Sequence, residues 1–198
     1  MFLDNIPMKK KLIGGFLCVI LLAILIALVG YMAMGDMAEQ AKTMYDDNLV
    51  SLEQLLNADN NFLNIRINIY KTVFAKDERK DKFAEIDDEI INIKSKIEAY
   101  KSQSLSLEES ALIEEFERNW PVFETNLRKI IDDMNNGREE AALEGIYSKN
   151  FSVPRDAAQD ALDNLEIYNQ EKSKLMRDDI VRTYQESSLL FFVIVLLT

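Results

Sequence analysis

Residues 83–100 read Phe83-Ala84-Glu85-Ile86-Asp87-Asp88-Glu89-Ile90-Ile91-Asn92-Ile93-Lys94-Ser95-Lys96-Ile97-Glu98-Ala99-Tyr100. Phe83, Ile86, Ile90, Ile93, Ile97 and Tyr100 alternate spacings of three and four, which places them on one face of a helix. A repeat of about 3.5 residues is a heptad seam, and it predicts a helix packed with a gentle left-handed supercoil. Such a seam requires partner helices, and the neighbouring segments supply them.

Downstream, Ser106-Leu107-Glu108-Glu109 is a capping box that opens the next helix. Leu112, Phe116, Trp120, Phe123, Leu127, Ile130 and Met134 carry its apolar stripe, and Asn136-Gly137 stops it. Pro121 lies inside this stripe and is expected to kink or loosen the helix, because it lacks a backbone donor. Upstream, Leu52, Leu55, Phe62, Ile69 and Val73 mark a first helix running to about Ala75, with Lys76-Asp77 as the turn. A short helix from Arg138 to about Tyr147 follows, and Pro154 is expected to start the last long helix. Long antiparallel helices with short turns predict an all-α, up-down-up-down four-helix bundle continuous with its flanking apolar helices. Three Pro and six Gly are too few for a β-rich or loop-rich alternative.

No charged residue occurs from Leu12 to Gly35, a stretch longer as a helix than the ~30 Å hydrocarbon core of a bilayer. A cleaved signal peptide would be shorter and end in small residues, whereas bulky Tyr31-Met32-Ala33-Met34 follows here. The run therefore reads as a retained transmembrane helix. Leu189 to Thr198 is again purely apolar, too short to cross alone, and reads as the start of a second span. Lys9, Lys10 and Lys11 precede the first span, while the chain as a whole carries a net charge of −11. The positive-inside rule then assigns residues 1–11 to the cytoplasm, 12–35 to the first span and 36–188 to an extracytoplasmic bundle. Residues 189–198 begin the second span, in a cell-membrane protein with one or two passes.

Histidine is absent and Cys18 is the only cysteine. Zinc sites, structural disulfides, the Glu-x-x-His di-iron signature and Ser-His-Asp or Cys-His catalysis all lack their residues. The chain reads as no enzyme, with no cofactor. Its acidity argues against nucleic acid as a partner, since phosphate binding needs a basic face. Asp87-Asp88-Glu89 reads as a solvated helix face, with calcium the alternative.

The chain resembles the N-terminal four-helix-bundle ligand-binding domains of methyl-accepting chemotaxis proteins. The resemblance rests on the basic start before an apolar span, then Tyr45-Asp46-Asp47-Asn48-Leu49-Val50-Ser51-Leu52, Asn61-Phe62-Leu63-Asn64-Ile65-Arg66 and Asn136-Gly137-Arg138-Glu139-Glu140-Ala141. It implies a homodimer formed through the first helix, a small-molecule ligand or a ligand-loaded binding protein, and a signal passed down the last helix. Histidine kinases and nucleotide cyclases use similar input domains, and a structural bundle without ligand is the remaining alternative.

Asp59 and Arg66 share the heptad register of the first helix, and a charge there must be paired, wetted or ligated. Two readings of Arg66 stand: an ion pair within the bundle or dimer, or a bidentate partner for a ligand carboxylate, which the resemblance favours. Counting the distance of Arg66 from its own distal turn back from the other one reaches Tyr147, Asn150, Phe151 and Arg155 around the expected break at Pro154, and Asn61 and Tyr70 of the first helix join them. These seven residues form the candidate ligand pocket.

Overall fold

The computed structural model describes residues 7–196, and every element in that range is helical. The order is α1 (Met8–Thr43), a π-helical turn (Met44–Leu49), α2 (Val50–Phe74), a 3-10 turn (Lys76–Glu78), α3 (Arg79–Lys101), α4 (Leu107–Asn135), α5 (Glu139–Tyr147) and α6 (Lys149–Leu196). Residues 1–6 of the expected cytoplasmic stretch, and Leu197 and Thr198 of the expected second span, lie outside the described residues.

The chain divides into two compact units, Met1–Tyr45 with Ser173–Thr198, and Asp46–Lys172. In the first, α1 buries none of its residues, and Leu12, Phe16, Leu21, Ile24 and Leu28 are all exposed. A helix that is apolar on every side is stable when hydrocarbon surrounds it. Among the described residues, one helix, near the N-terminus, is long and apolar enough to cross a membrane.

The second unit is the bundle. The seam quoted above is buried at every position, from Phe83 to Tyr100. Facing it are Leu55, Ala58, Phe62, Ile65 and Ile69 of α2, Ile113, Phe116, Trp120, Phe123, Leu127 and Ile130 of α4, and Ala158, Ala161, Leu162 and Leu165 of α6. Side-chain contacts fix which helices are neighbours. Asn64 donates to Glu89 at 3.2 Å across α2 and α3. Lys94 pairs with Glu124 at 2.8 Å, and Lys101 with Glu117 at 2.5 Å, across α3 and α4. Phe123 lies 5.2 Å from Phe151 across α4 and α6, and Gln159 bonds Asp59 across α6 and α2. The ring α2–α3–α4–α6 is thereby closed.

Local chemistry sets the turns. Ser106 Oγ accepts from the Glu109 N–H while the Glu109 carboxylate accepts from the Ser106 N–H, so the capping box opens α4 as its sequence predicts. Gly137 adopts φ 72°, a left-handed value that glycine reaches without strain. The two distal turns are joined by Glu139, which accepts from Lys76 at 2.7 Å and Arg79 at 3.1 Å.

One expectation needs correction. Pro154 does not start the last helix; α6 begins at Lys149. The break lies at Ser148, whose backbone is extended and whose Oγ accepts the Phe151 N–H at 3.2 Å. A serine cap three residues before Phe151 supplies the start signal, and Pro154 sits buried a turn further on, inside the helix. Pro121 lies inside α4, which runs from Leu107 to Asn135; the residue is exposed, where water can serve the carbonyl it strands. One helical run extends from Met8 to Phe74, with a π-helical turn at Met44–Leu49 between α1 and α2.

Candidate functional site

Polar side chains that leave the core gather where α2 faces α6. Asp59 and Arg66 lie seven residues apart, on one flank of α2. Arg155, Gln159, Asp163 and Glu166 recur at spacings of three and four on one flank of α6. Gln159 Nε2 bonds the Asp59 carboxylate and also donates to Asp163 Oδ1 at 3.1 Å, which sets the register of these antiparallel helices. With residue 59 opposite 159, Arg66 comes level with the turn of α6 that holds Ser152 and Arg155.

The seam therefore has two parts of opposite charge. Towards the distal turns are Arg66, Tyr70 and Arg155; towards the other end are Asp59, Asp163 and Glu166. Arg66 is half-buried and, among the described residues, forms no hydrogen bond or ion pair; its field reaches Asp59 and favours that carboxylate's charge. The Arg155 side chain is only 13% exposed and pairs with its neighbour Asp156 at 2.7 Å. Its guanidinium carbon lies 5.8 Å from the centre of the Phe151 ring, which is itself in the core.

At the acidic part, burial raises the Asp59 pKa, with repulsion from Asp163 adding to it and the Gln159 bond and Arg66 opposing. Burial, then the charges of Asp59 and Asp163, push Glu166 up to about 7. Among the described residues no group of His, Cys, Asp or Glu is arranged to hold a metal ion.

The structure thus gathers Arg66, Tyr70 and Arg155 along one seam, with Phe151 beneath Arg155. The other three candidates lie elsewhere. Asn61 sits three residues before Asn64, which bonds Glu89 of α3, so it belongs to the opposite flank of α2. Tyr147 is 75% exposed at the end of α5. Asn150 is exposed and lines a groove of about 340 Å³ with Asn126, Lys129, Asp133 and Gly145, on the α4 side of α6.

A second polar group lies at the end of the bundle where the chain enters and leaves, and sequence reasoning missed it as a unit. Tyr100 Oη donates to Glu109 Oε1 at 2.8 Å and accepts from Asn169 Nδ2 at 2.8 Å. Lys172 Nζ is 3.8 Å from the same carboxylate. Burial drives the tyrosine hydroxyl's pKa well above its ordinary value. Burial also opposes ionisation of Glu109, yet bonds from Ser106 and Tyr100, with the charge of Lys172, hold that carboxyl below the ordinary value. Asn169 was detectable: it continues the α6 seam of Ala158, Leu162 and Leu165 at the same spacing, as a polar residue in an apolar register.

The profile of a family described as "Four helix bundle sensory module for signal transduction" matches residues 5–184. The chain belongs to this family. No curated protein matches the chain. The sensory module is thus a signal-transduction domain of the chemoreceptor kind and not a member of an enzyme family. Apolar contacts in the bundle are fixed by close packing, whereas a charged seam responds to whatever compensates its charge.

Proposed function

We propose that this sensory module is the extracytoplasmic input of a transmembrane chemoreceptor, and that the α2–α6 seam receives a small carboxylate between Arg66 and Arg155. The observation that carries the reading is Arg66: half-buried, without a partner among the described residues, and facing the flank that holds a second, nearly buried arginine. Two guanidinium groups on facing helices repel each other; Arg155 has Asp156 beside it, whereas Arg66 has no anion to offset its partial burial. A carboxylate offers both of them bidentate bonds. Such a ligand favours the packing that brings α2 and α6 together, and its differential affinity for two packings is the whole of the signal. Because α6 is one helix from Lys149 to Leu196, a displacement within the bundle is carried along it.

The test uses the full chain in detergent micelles. Trp120, the only tryptophan, is 4% exposed, so its fluorescence reports bundle unfolding. A carboxylate at about 100 times its Kd adds about 2.7 kcal/mol to stability and raises the midpoint. Arg66→Ala is expected to abolish that rise while leaving the unliganded midpoint nearly unchanged, as it breaks no bond. A carboxylate that stabilises Arg66→Ala as strongly as the parent would place the ligand elsewhere.

We also propose that the module is a homodimer. Leu56, Leu63, Ile67 and Phe74 of α2 are between 41% and 84% exposed, at spacings of seven, four and seven. That is a second heptad row on the outer face of a helix whose inner face is already in the core. Leu63→Glu is expected to shift sedimentation in density-matched detergent from the mass of two chains to one. A parent protein sedimenting as one chain at micromolar concentration would end this reading.

A further inference from the structure

The acidic part of the α2–α6 seam is short of hydrogen-bond donors. Three carboxylates, Asp59, Asp163 and Glu166, face a single amide, whose Nε2 serves both aspartates. Two acceptors remain buried with no donor: Glu166 Oε1 and Gln159 Oε1. Buried acceptors without partners are costly, and so are like charges held together. We propose that this seam is a proton-responsive device: one proton taken up by the Glu166 cluster tightens the packing of α2 against α6, and its release loosens it.

One proton eases both faults, since it removes a negative charge and turns one of the two orphan acceptors, Glu166 Oε1, into a donor. The charges that act on Glu166 favour this outcome from both helices. Asp59 comes from α2 and Asp163 from α6 itself. Arg66 acts on Asp59, and among the described residues no cation and no charged group of α3 or α4 offsets the charge of Glu166. The carboxyl accordingly titrates at about 7, far above its ordinary 4.5. Its folded pKa being the higher one, the folded state holds the proton longer than the unfolded chain. The proton's stabilisation is complete below pH 4.5 and is lost as pH rises towards 7. Asp59, also raised, adds in the same direction. This device is distinct from the proposed carboxylate site, because it needs neither arginine to bind a ligand.

The experiment is a carbon-13 NMR titration of glutamate side-chain carboxyls in the full chain in micelles, without added ligand. One resonance is expected to titrate near pH 7 and to vanish in Glu166→Gln. In Asp163→Asn the same resonance is expected to remain and to titrate at lower pH, since a repelling charge is gone. The Trp120 unfolding midpoint is expected to fall between pH 5 and pH 8 in the parent and to fall less in Glu166→Gln. The proposal is overturned if every glutamate carboxyl titrates in the ordinary range, or if the high-titrating resonance survives Glu166→Gln.

Discussion

Phe62→Ala is expected to cost the bundle about 3–5 kcal/mol, a large part of the 5–15 kcal/mol that holds a domain folded. Phe62 is fully buried, and its ring lies 5.6 Å from that of Trp120 and 5.1 Å from that of Phe123. Trp120 in turn stacks on Phe116 at 5.5 Å, and Phe123 meets Phe151 of α6. One side chain of α2 therefore packs on two rings of α4, and through Phe123 it is joined to Phe151 of α6. The helices around it have little freedom to close the space, so the loss combines transfer energy with a residual cavity. Fluorescence of Trp120 measures the effect directly, as a fall in the unfolding midpoint of the full chain in micelles. A loss below about 1 kcal/mol would mean that α2 slides to fill the gap, and hence that the bundle is packed far less tightly than its buried rings imply.

Such packing was legible wherever it depended on period alone. The residues from Phe83 to Tyr100 repeat at three and four, and that repeat is itself the condition for burying one face. Ser106 and Glu109 were legible because a capping box is closed within four residues. The start of α6 was not, because Pro154 is the louder signal, while the deciding bond comes from the modest side chain of Ser148. The π-helical turn at Met44–Leu49 has no simple sequence mark.

The seam followed the same division. Arg66 and Asp59 were visible as charges in one register, since residues seven apart share a face. Asn61 could have been set aside by the same arithmetic, as five residues carry it well over a third of a turn from Arg66. What no local pattern reveals is which flank of α6 meets which flank of α2. Gln159, Asp163 and Glu166 read as an ordinary polar face until the bond from Gln159 to Asp59 places them across from another acid.

Glu109→Ala is expected to be the second most damaging change, at about 2–4 kcal/mol, and the one with the clearest pH signature. The carboxylate is 3% exposed and serves three purposes at once. It closes the capping box with Ser106, accepts the hydroxyl of Tyr100, and faces Lys172 of α6. Alanine removes the reciprocal cap, worth about 1 kcal/mol, and strands the buried Tyr100 hydroxyl as a donor, worth about 1–3 kcal/mol more. Because the folded pKa of Glu109 lies below its ordinary 4.5, the stability it contributes is present above that value and lost as pH falls through the folded one. The parent midpoint should thus drop on strong acidification by more than that of Glu109→Ala, opposite in sign to the effect of Glu166 nearer neutrality. Tyr100→Phe separates the two parts, since it removes the stranded hydroxyl and keeps the cap. If Glu109→Ala costs markedly less in the Tyr100→Phe background, the bond couples the α3–α4 turn to α6 through Asn169. Equal costs in both backgrounds would leave only the cap, and the position of α6 at this end would rest on Lys172 and apolar packing alone.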